Sequence, residues 1–257
     1  MLPAILRELS QSLQGALIAL GGYALFAARL FVESPRALLR FRLVIDQVHN
    51  AGTLSLVIIM LSGLFVGMVL GLQGFDLLER FGSEESLGTA VALGLLKELG
   101  PVVTALLFAG RAGTALASEL GLMRATDQIA AMEMMAVDPV RRVVMPRFLG
   151  GVIAMPLLAA IFSMIGLYGA QLVGVQLMGV DSGQYWSQMR GAVETADVME
   201  GVIKSVVFGV ACSLIAVYEG YHSMPTAEGV GRATTRTVVI SSVVVLLLDY
   251  ILTAVMR

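Results

Sequence analysis

Four ionisable side chains lie inside long apolar blocks of this 257-residue sequence: Lys97, Glu98, Lys204 and Asp249. A charge at the centre of a bilayer costs at least about 2.5–3.5 kcal/mol on insertion scales, so such groups face one another or a wet cavity. Two interpretations follow. In the first, two ion pairs hold helices together. In the second, a polar patch accepts lipid headgroups, with Lys97 or Lys204 attracting phosphate while Glu98 and Asp249 balance the unoccupied site.

Other reactive constellations are absent from the sequence. No G-x-x-x-x-G-K-[ST] phosphate cradle occurs, so ATP and its Mg²⁺ are expected on a separate chain, and no cofactor is predicted for this one. His49 and His222 lack metal-ligand neighbours, and the single cysteine, Cys212, lies in an apolar block where a packed residue is expected. We therefore predict no metal site, no catalytic residues and no enzymatic activity for this chain.

The composition defines the class of protein. Hydrophobic residues make up 57% of the chain and charged residues only 14%, with a mean hydropathy of +0.85, whereas a soluble domain is about 25% charged. A net charge of −2 leaves no basic field for nucleic acid. The sequence therefore predicts an all-α, multi-pass membrane protein.

Five apolar stretches are long enough to cross a bilayer, which takes about 20 residues of helix. They cover residues 54–72, 87–117, 148–180, 201–221 and 237–256. Pro101 and Pro156 lie inside two of them, where each ring is expected to kink the helix and leave a carbonyl in need of a partner. Five spans give no obvious inverted repeat, which argues against a secondary transporter.

The first 45 residues form a separate interfacial or elbow segment. Apolar residues recur at helical steps over residues 2–20 with polar residues between them, which is typical of an amphipathic helix in the interface plane. Residues 16–32 are apolar enough to compete as a sixth span, but three glycines weaken an isolated spanning helix, so an interfacial or re-entrant helix is favoured. The membrane domain proper covers residues 46–257.

The loop charges predict the orientation, because arginine and lysine accumulate on the cytoplasmic side. Twelve of the 17 basic residues lie before the first span or in the two loops on the same side: Arg7, Arg29, Arg36, Arg40, Arg42, Arg111, Arg124, Arg141, Arg142, Arg147, Arg232 and Arg236. The N-terminus is therefore expected in the cytoplasm and the C-terminus outside. Counting about 1.5 Å per residue then places Lys97, Glu98 and Asp249 near mid-depth and Lys204 nearer the external face.

Small residues recur every four positions in the first span, at Gly63, Gly67 and Gly71. Such rows let helix backbones approach closely, either within one chain or across a dimer. Contacts within the chain are favoured, because every multi-pass bundle needs such seams.

The loop between the second and third spans predicts a cytoplasmic helix over residues 118–137, ended by Pro139. Leu122, Ile129, Met132 and Met135 can share one face of it, and methionines suit an adaptable contact surface. Two interpretations are equally supported by these residues. The helix either lies against the membrane or inserts its apolar face into a groove of a cytoplasmic partner.

The same loop contains a long motif made of Glu119, Gly121, Met123, Asp127, Gln128, Ala131, Met132, Met135, Asp138 and Pro139. Together with residues 97–101 and 109–113, this motif resembles the signature of the MlaE (YrbE-type) permeases, the membrane subunits of ABC transporters that move phospholipids between bacterial membranes. Asp127 stands where that family usually has Glu.

The resemblance implies a function and a set of partners. The helix over residues 118–137 would be the coupling helix, which sits in a groove of the ATPase subunit, and residues 46–257 would form the permease domain. A homodimer of permeases would work with two ABC ATPases, a STAS-domain subunit and a hexameric MCE-domain subunit on the periplasmic side. Such a complex would lie in the bacterial inner membrane and move phospholipid at the expense of ATP.

Overall fold

The computed structural model describes residues 21–30, 32 and 41–256. These residues form helices and the turns between them, with no strand in the described part. We number the helices α1 (21–30), α2 (Phe41–Gly52), α3 (Leu56–Glu79), α4 (Leu87–Leu93), α5 (Gly100–Phe108), α6 (Thr114–Ala125), α7 (Gln128–Met134), α8 (Met145–Gln171), α9 (Ser182–Ala192), α10 (Thr195–Tyr221) and α11 (Ala227–Met256).

Short 3₁₀ and π turns join several of these helices into longer helical stretches. The 3₁₀ turn Thr53–Ser55 joins α2 to α3, and the π turns Gly94–Leu99 and Ala109–Gly113 join α4, α5 and α6. Two more π turns extend α8 at its ends, at Val140–Val144 and Leu172–Leu177.

Five of the resulting stretches in the described residues are long and apolar enough to cross a membrane. They are Arg42–Glu79, Glu84–Ala125, Val140–Leu177, Thr195–Tyr221 and Ala227–Met256. The prediction of an all-α, five-span fold is therefore confirmed. The predicted amphipathic helix over residues 2–20 lies outside the described residues.

The two ends of the bundle are distinguished by the short helices that they carry. At one end, which we call the α7 end, Arg124 at the end of α6 donates to the carbonyl of Tyr221, the last residue of α10. At the opposite end, which we call the α9 end, α9 packs against α4 and against the 3₁₀ turn Glu84–Ser86 that precedes α4. The α10–α11 turn therefore lies at the α7 end, as does α1, whose Tyr23 and Phe26 contact the ring of Tyr218 near the end of α10.

Helix α8 lies at the centre of the bundle and contacts α2, α3, α5 and α10. Its interior side chains include Met155 and Phe162, which are fully buried with Phe108 and Phe208 from α5 and α10. Packing of these side chains holds α5, α8 and α10 together, and α10 carries Lys204, the centre of the polar network described below.

The glycine row of the first span faces α8. A β-carbon added at Gly63 would lie 2.8 Å from the carbonyl oxygen of Phe162, and one added at Gly67 would clash with the backbone of Gly166. Gly71 meets the carbonyl oxygen of Ala170 in the same way, at 2.8 Å. The row therefore serves close packing within one chain, which is the interpretation that the sequence favoured.

Candidate functional site

Lys204 is the centre of an intramembrane charge network between α10, α11 and the turn before α5. Its side chain has no exposed surface. Its ammonium nitrogen lies 3.1 Å from Glu98 Oε2, 3.5 Å from Asp249 Oδ1 and 3.6 Å from Glu200 Oε1. A buried charge needs partners of this kind, because its desolvation is costly.

Two further oxygens complete the surroundings of Lys204. The ammonium donates to the hydroxyl of Thr253 at 2.8 Å and to the main-chain carbonyl of Lys97 at 2.9 Å. Pro101 has no N–H, so it cannot donate to that carbonyl four residues earlier as an ordinary helical residue would. Lys204 therefore contacts the carbonyl that the proline leaves without its usual donor.

Lys97 extends the network toward the start of α10. Its ammonium lies 3.1 Å from Asp197 Oδ1 and 2.9 Å from Glu200 Oε2. Since Glu200 contacts both lysines, the charges form one connected network rather than the two separate ion pairs of the first interpretation.

Sequence reasoning missed Asp197, Glu200 and Thr253. The first two lie outside the predicted span, because the apolar stretch begins at residue 201. The helix instead begins at Thr195, where Glu194 and Asp197 form a capping box. Glu194 and Asp197 make the reciprocal contacts of a capping box, which is usually S/T-x-x-E/Q, and this spacing before an apolar run is the signal that would have extended the span.

The network differs in exposure from one member to the next. Lys204 is inaccessible, whereas the side chains of Glu98, Lys97 and Asp249 are 40%, 33% and 22% exposed. Lys97 and Glu98 are therefore the most exposed charges of the network. Between α5, α8 and α10, a cavity of about 220 Å³ is lined mainly by apolar residues, which include Leu96 and Val202, and by no side chain of the network.

The loop between the second and third spans differs from the prediction of one helix over residues 118–137. Helix α6 continues to Ala125, and the chain then turns at Asp127, whose φ of 56° lies in the left-handed region. Helix α7 covers only Gln128–Met134 and ends before Ala136, which has a φ of 57°. Pro139 is therefore not what ends α7; it precedes the π turn that leads into α8.

The predicted single apolar face is also wrong. Ile129 is 7% exposed, and Met132 packs against the buried cluster that includes Val140 and Phe148. Leu122 and Met135 instead lie on the outside, at 58% and 66% exposed. Met134, at 84%, is the most exposed methionine of this loop. The exposed methionines are therefore Met134, the last residue of α7, and Met135, which follows it; the exposed Glu133 precedes them.

The remaining residues of the central motif hold the α7 end together or lie on its surface. Glu119 pairs with Arg147 at 3.2 Å, and Asp138 accepts from the amide of Val140 at 2.9 Å. A β-carbon at Gly121 would lie 3.1 Å from the hydroxyl of Ser223. Met123 packs against the same buried cluster as Met132, Asp127 and Gln128 are exposed, and Ala131 is half-buried.

Comparison with known proteins identifies the family. Residues 44–255 match the family model described as Permease MlaE. The chain belongs to the MlaE permease family. The resemblance found from the sequence motifs is thereby confirmed over nearly the whole chain.

Relatives of this MlaE permease share most of its length. It is 57% identical over 236 residues to the intermembrane phospholipid transport system permease protein MlaE of Haemophilus influenzae, which covers 91% of this chain and 90% of that protein. A probable ABC transporter permease protein of Rickettsia bellii is 38% identical, with 91% of each chain covered. The chloroplastic protein TRIGALACTOSYLDIACYLGLYCEROL 1 of Arabidopsis thaliana is 29% identical over 90% of this chain.

Proposed function

We propose that this chain is the permease subunit of an ABC transporter that moves phospholipids between the inner and outer membranes, driven by ATP hydrolysis in a separate subunit. The observation that carries the proposal is the 57% identity to an intermembrane phospholipid transport permease over nine-tenths of both chains. The five membrane-crossing helices and the lack of a phosphate-binding motif in the sequence are consistent with this division of labour.

The proposed assembly contains two copies of this chain, two ABC ATPases, a STAS-domain subunit and a hexameric MCE-domain subunit. The uneven exposure of the bundle supports the second copy. In the most apolar part of α11 only 11% of the residues are buried within the chain, and in that of the Arg42–Glu79 stretch 28% are buried. The corresponding buried share is 44–56% in the other three stretches. Two chains that meet through these faces would enclose a cavity for phospholipid, lined mainly by the first, second and fifth spans.

The proposed location is the bacterial inner membrane, with the α7 end in the cytoplasm and the C-terminus in the periplasm. The support is the accumulation of arginine at the α7 end, where Arg124, Arg147 and Arg236 all lie. This orientation places α7 where a cytoplasmic ATPase can reach it.

In this proposal α7 is the coupling helix, and Met134 and Met135 enter a groove of the ATPase. Closure of the two ATPases on ATP then displaces α7 and reshapes the cavity between the permeases. Flexible, polarisable methionine side chains suit such a contact. The buried Ile129 and Met132 hold the helix on the bundle, so that its displacement is passed on to the helices of the membrane domain.

The proposal is tested by Met134→Glu and Met135→Glu in the full chain, with Met224→Glu as the matched control. Met224 is 67% exposed in the neighbouring α10–α11 turn, so the same charge is introduced at the same end of the bundle. We expect the first two variants to insert normally but to lose co-purification with the ATPase and ATP-dependent phospholipid transfer between vesicles. ATPase association that survives in both variants contradicts the coupling role.

We also propose that Lys97 holds the lipid phosphate at the charge network. The side chain of Lys97 is 33% exposed, whereas Lys204 is enclosed by five protein oxygens and serves as the internal counter-ion. Lys97→Gln is expected to slow phospholipid transfer while ATPase association is retained, and Lys97→Arg is expected to preserve most of it. Equal transfer by wild type and Lys97→Gln would overturn this role.

A further inference from the structure

Helix α1 packs against the last turns of α10 at the α7 end. The ring of Tyr23 lies on that of Tyr218, with centroids 3.9 Å apart. Phe26, which is 8% exposed, approaches the rings of Tyr218 and Tyr221 at 5.5 and 5.9 Å, and Leu30 is fully buried. Helix α1 is therefore packed on the bundle through these aromatic and apolar contacts.

Glu219 joins α1 to two other helices. Its side chain is only 7% exposed. One carboxylate oxygen accepts from the hydroxyl of Tyr23 in α1, and the other lies 3.2 Å from Arg236 Nε in α11. Burial and the nearby Glu219 carboxylate raise the pKa of Tyr23, so the phenol stays protonated and keeps donating. A single carboxylate of α10 therefore contacts α1 and α11 at once.

The other end of α1 contacts the segment that follows α7. Arg29 Nη2 donates to both carboxylate oxygens of Asp138 at 3.3 Å. Asp138 in turn accepts from the amide of Val140, at the start of the helical stretch that leads into α8. Tyr23 and Arg29 are six positions apart, which is about 9 Å along a helix. The two polar contacts are therefore at opposite ends of one short rigid element.

We infer that α1 is a link between the segment after α7 and the α10–α11 pair, with Glu219 as the positioning residue where the link meets both helices. The inference rests on the proposed function, because α7 is displaced only if an ATPase acts on it. A movement of Asp138 is carried by α1 to Glu219 and passes through Arg236 to α11. Helix α11 is the least buried span, and its exposed face borders the proposed lipid cavity.

The link differs from the direct covalent route between α7 and α8. That route moves the centre of the bundle, which is packed against α2, α3, α5 and α10. The α1 route reaches α11 instead, by one ion pair at each end and a hydrogen bond between them. Such a series of contacts transmits movement only if the contacts at its two ends depend on each other energetically. This dependence can be measured.

The experiment uses the full chain assembled with its ATPase partner in proteoliposomes. It measures labelled phospholipid transferred per ATP hydrolysed, together with ATPase co-purification. The variants are Tyr23→Phe, which keeps the ring contact with Tyr218, Arg29→Gln, Glu219→Gln, and the double variant Tyr23→Phe/Arg29→Gln. Tyr168→Phe and Arg232→Gln are matched controls, because Tyr168 lies on the outer surface of α8 and Arg232 makes an exposed ion pair within α11.

We expect each single variant to lower the transfer per ATP at least about fivefold, the low end of typical coupling between sites, with ATPase association unchanged. Because Tyr23 and Arg29 interrupt one link, the double variant is expected to be no worse than the worse single variant, whereas independent effects would multiply. Unchanged transfer per ATP, multiplying effects, or loss of ATPase association would each overturn the link. If wild type neither binds an ATPase nor transfers lipid, the proposed function itself fails.

Discussion

The ammonium of Lys204 donates a hydrogen bond to the main-chain carbonyl of Lys97 at 2.9 Å. This contact unites two features that are separate in the sequence, a proline inside a span and a lysine inside another. Pro101 deprives the Lys97 carbonyl of its usual donor, and the lysine of α10 supplies one. Because an unpaired carbonyl and an unpaired ammonium are both costly away from water, the two irregularities stabilise each other.

Lys204→Met is expected to destabilise the protein by about 3–5 kcal/mol, the usual cost of removing one partner of a buried ion pair. The change leaves Glu98, Glu200 and Asp249 facing one another without their central cation. Thermal unfolding in detergent measures the effect, with a thiol-reactive dye as the probe. The one cysteine, Cys212, is fully buried and becomes reactive only when the helices separate.

The triple variant Lys204→Met/Glu98→Gln/Asp249→Asn is the control for this prediction. It removes the cation together with two of its carboxylates, so it is expected to recover part of the lost stability. A Lys204→Met protein that unfolds at the wild-type temperature would show that the ammonium contributes little to the fold.

Gly67→Ala is expected to destabilise the contact between α3 and α8 by at least about 1–3 kcal/mol, the cost typical of overpacking. The added methyl group would meet the backbone of Gly166, which cannot rotate away as a side chain would. The matched control is Gly231→Ala in α11, where no atom lies within 4 Å and a gain of up to about 1 kcal/mol is expected. Equal unfolding temperatures for the two variants would contradict the packing argument.

Much of the architecture could be predicted from the sequence because the lipid environment constrains it strongly. Apolar length alone locates five spans. The cost of buried charge predicts that the four intramembrane charges face one another or a wet cavity, and in the structure Lys204 contacts Glu98 and Asp249. Hydropathy alone does not predict the full network, because Asp197 and Glu200 lie before the apolar stretch of α10. The long side chain of Lys97 extends to these two carboxylates. A hydropathy profile carries no information about such side-chain contacts.

The shape of the loop at the α7 end was less predictable. Asp127 and Ala136 both adopt left-handed backbone conformations that only a few per cent of residues other than glycine show. Neither residue is a strong signal for a turn at its place in the sequence, so a continuous helix was the natural expectation. The same break decides which methionines are exposed, since it rotates Met134 and Met135 outward while Met132 stays on the bundle.

Cysteine labelling tests the proposed orientation. In a Cys212→Ala background, Met134→Cys places a thiol on the outer surface of α7, and Gln188→Cys places one on the exposed side of α9. A membrane-impermeant maleimide is expected to label Gln188→Cys in spheroplasts and Met134→Cys only in inverted vesicles. The reverse pattern would show that the arginine-rich end lies outside, and labelling of both from one side would contradict the bundle as described.

Tyr185 gives the molecule a pH-dependent contact at the α9 end. The ring is fully buried, and its hydroxyl donates to the carbonyl of Leu167 at 3.2 Å. Burial raises the pKa of Tyr185 to about 12, whereas an unfolded tyrosine ionises near 10. Between those values the unfolded chain binds fewer protons than the folded one, so stability falls as the pH rises, by up to about 1.4 kcal/mol per pH unit.

The variant Tyr185→Phe lacks the ionisable hydroxyl. We therefore expect the stability advantage of wild type over the variant to be constant below pH 10 and to shrink toward pH 12, as followed by helical circular dichroism during thermal unfolding. A constant difference across that range would show that Tyr185 does not retain its proton in the folded protein.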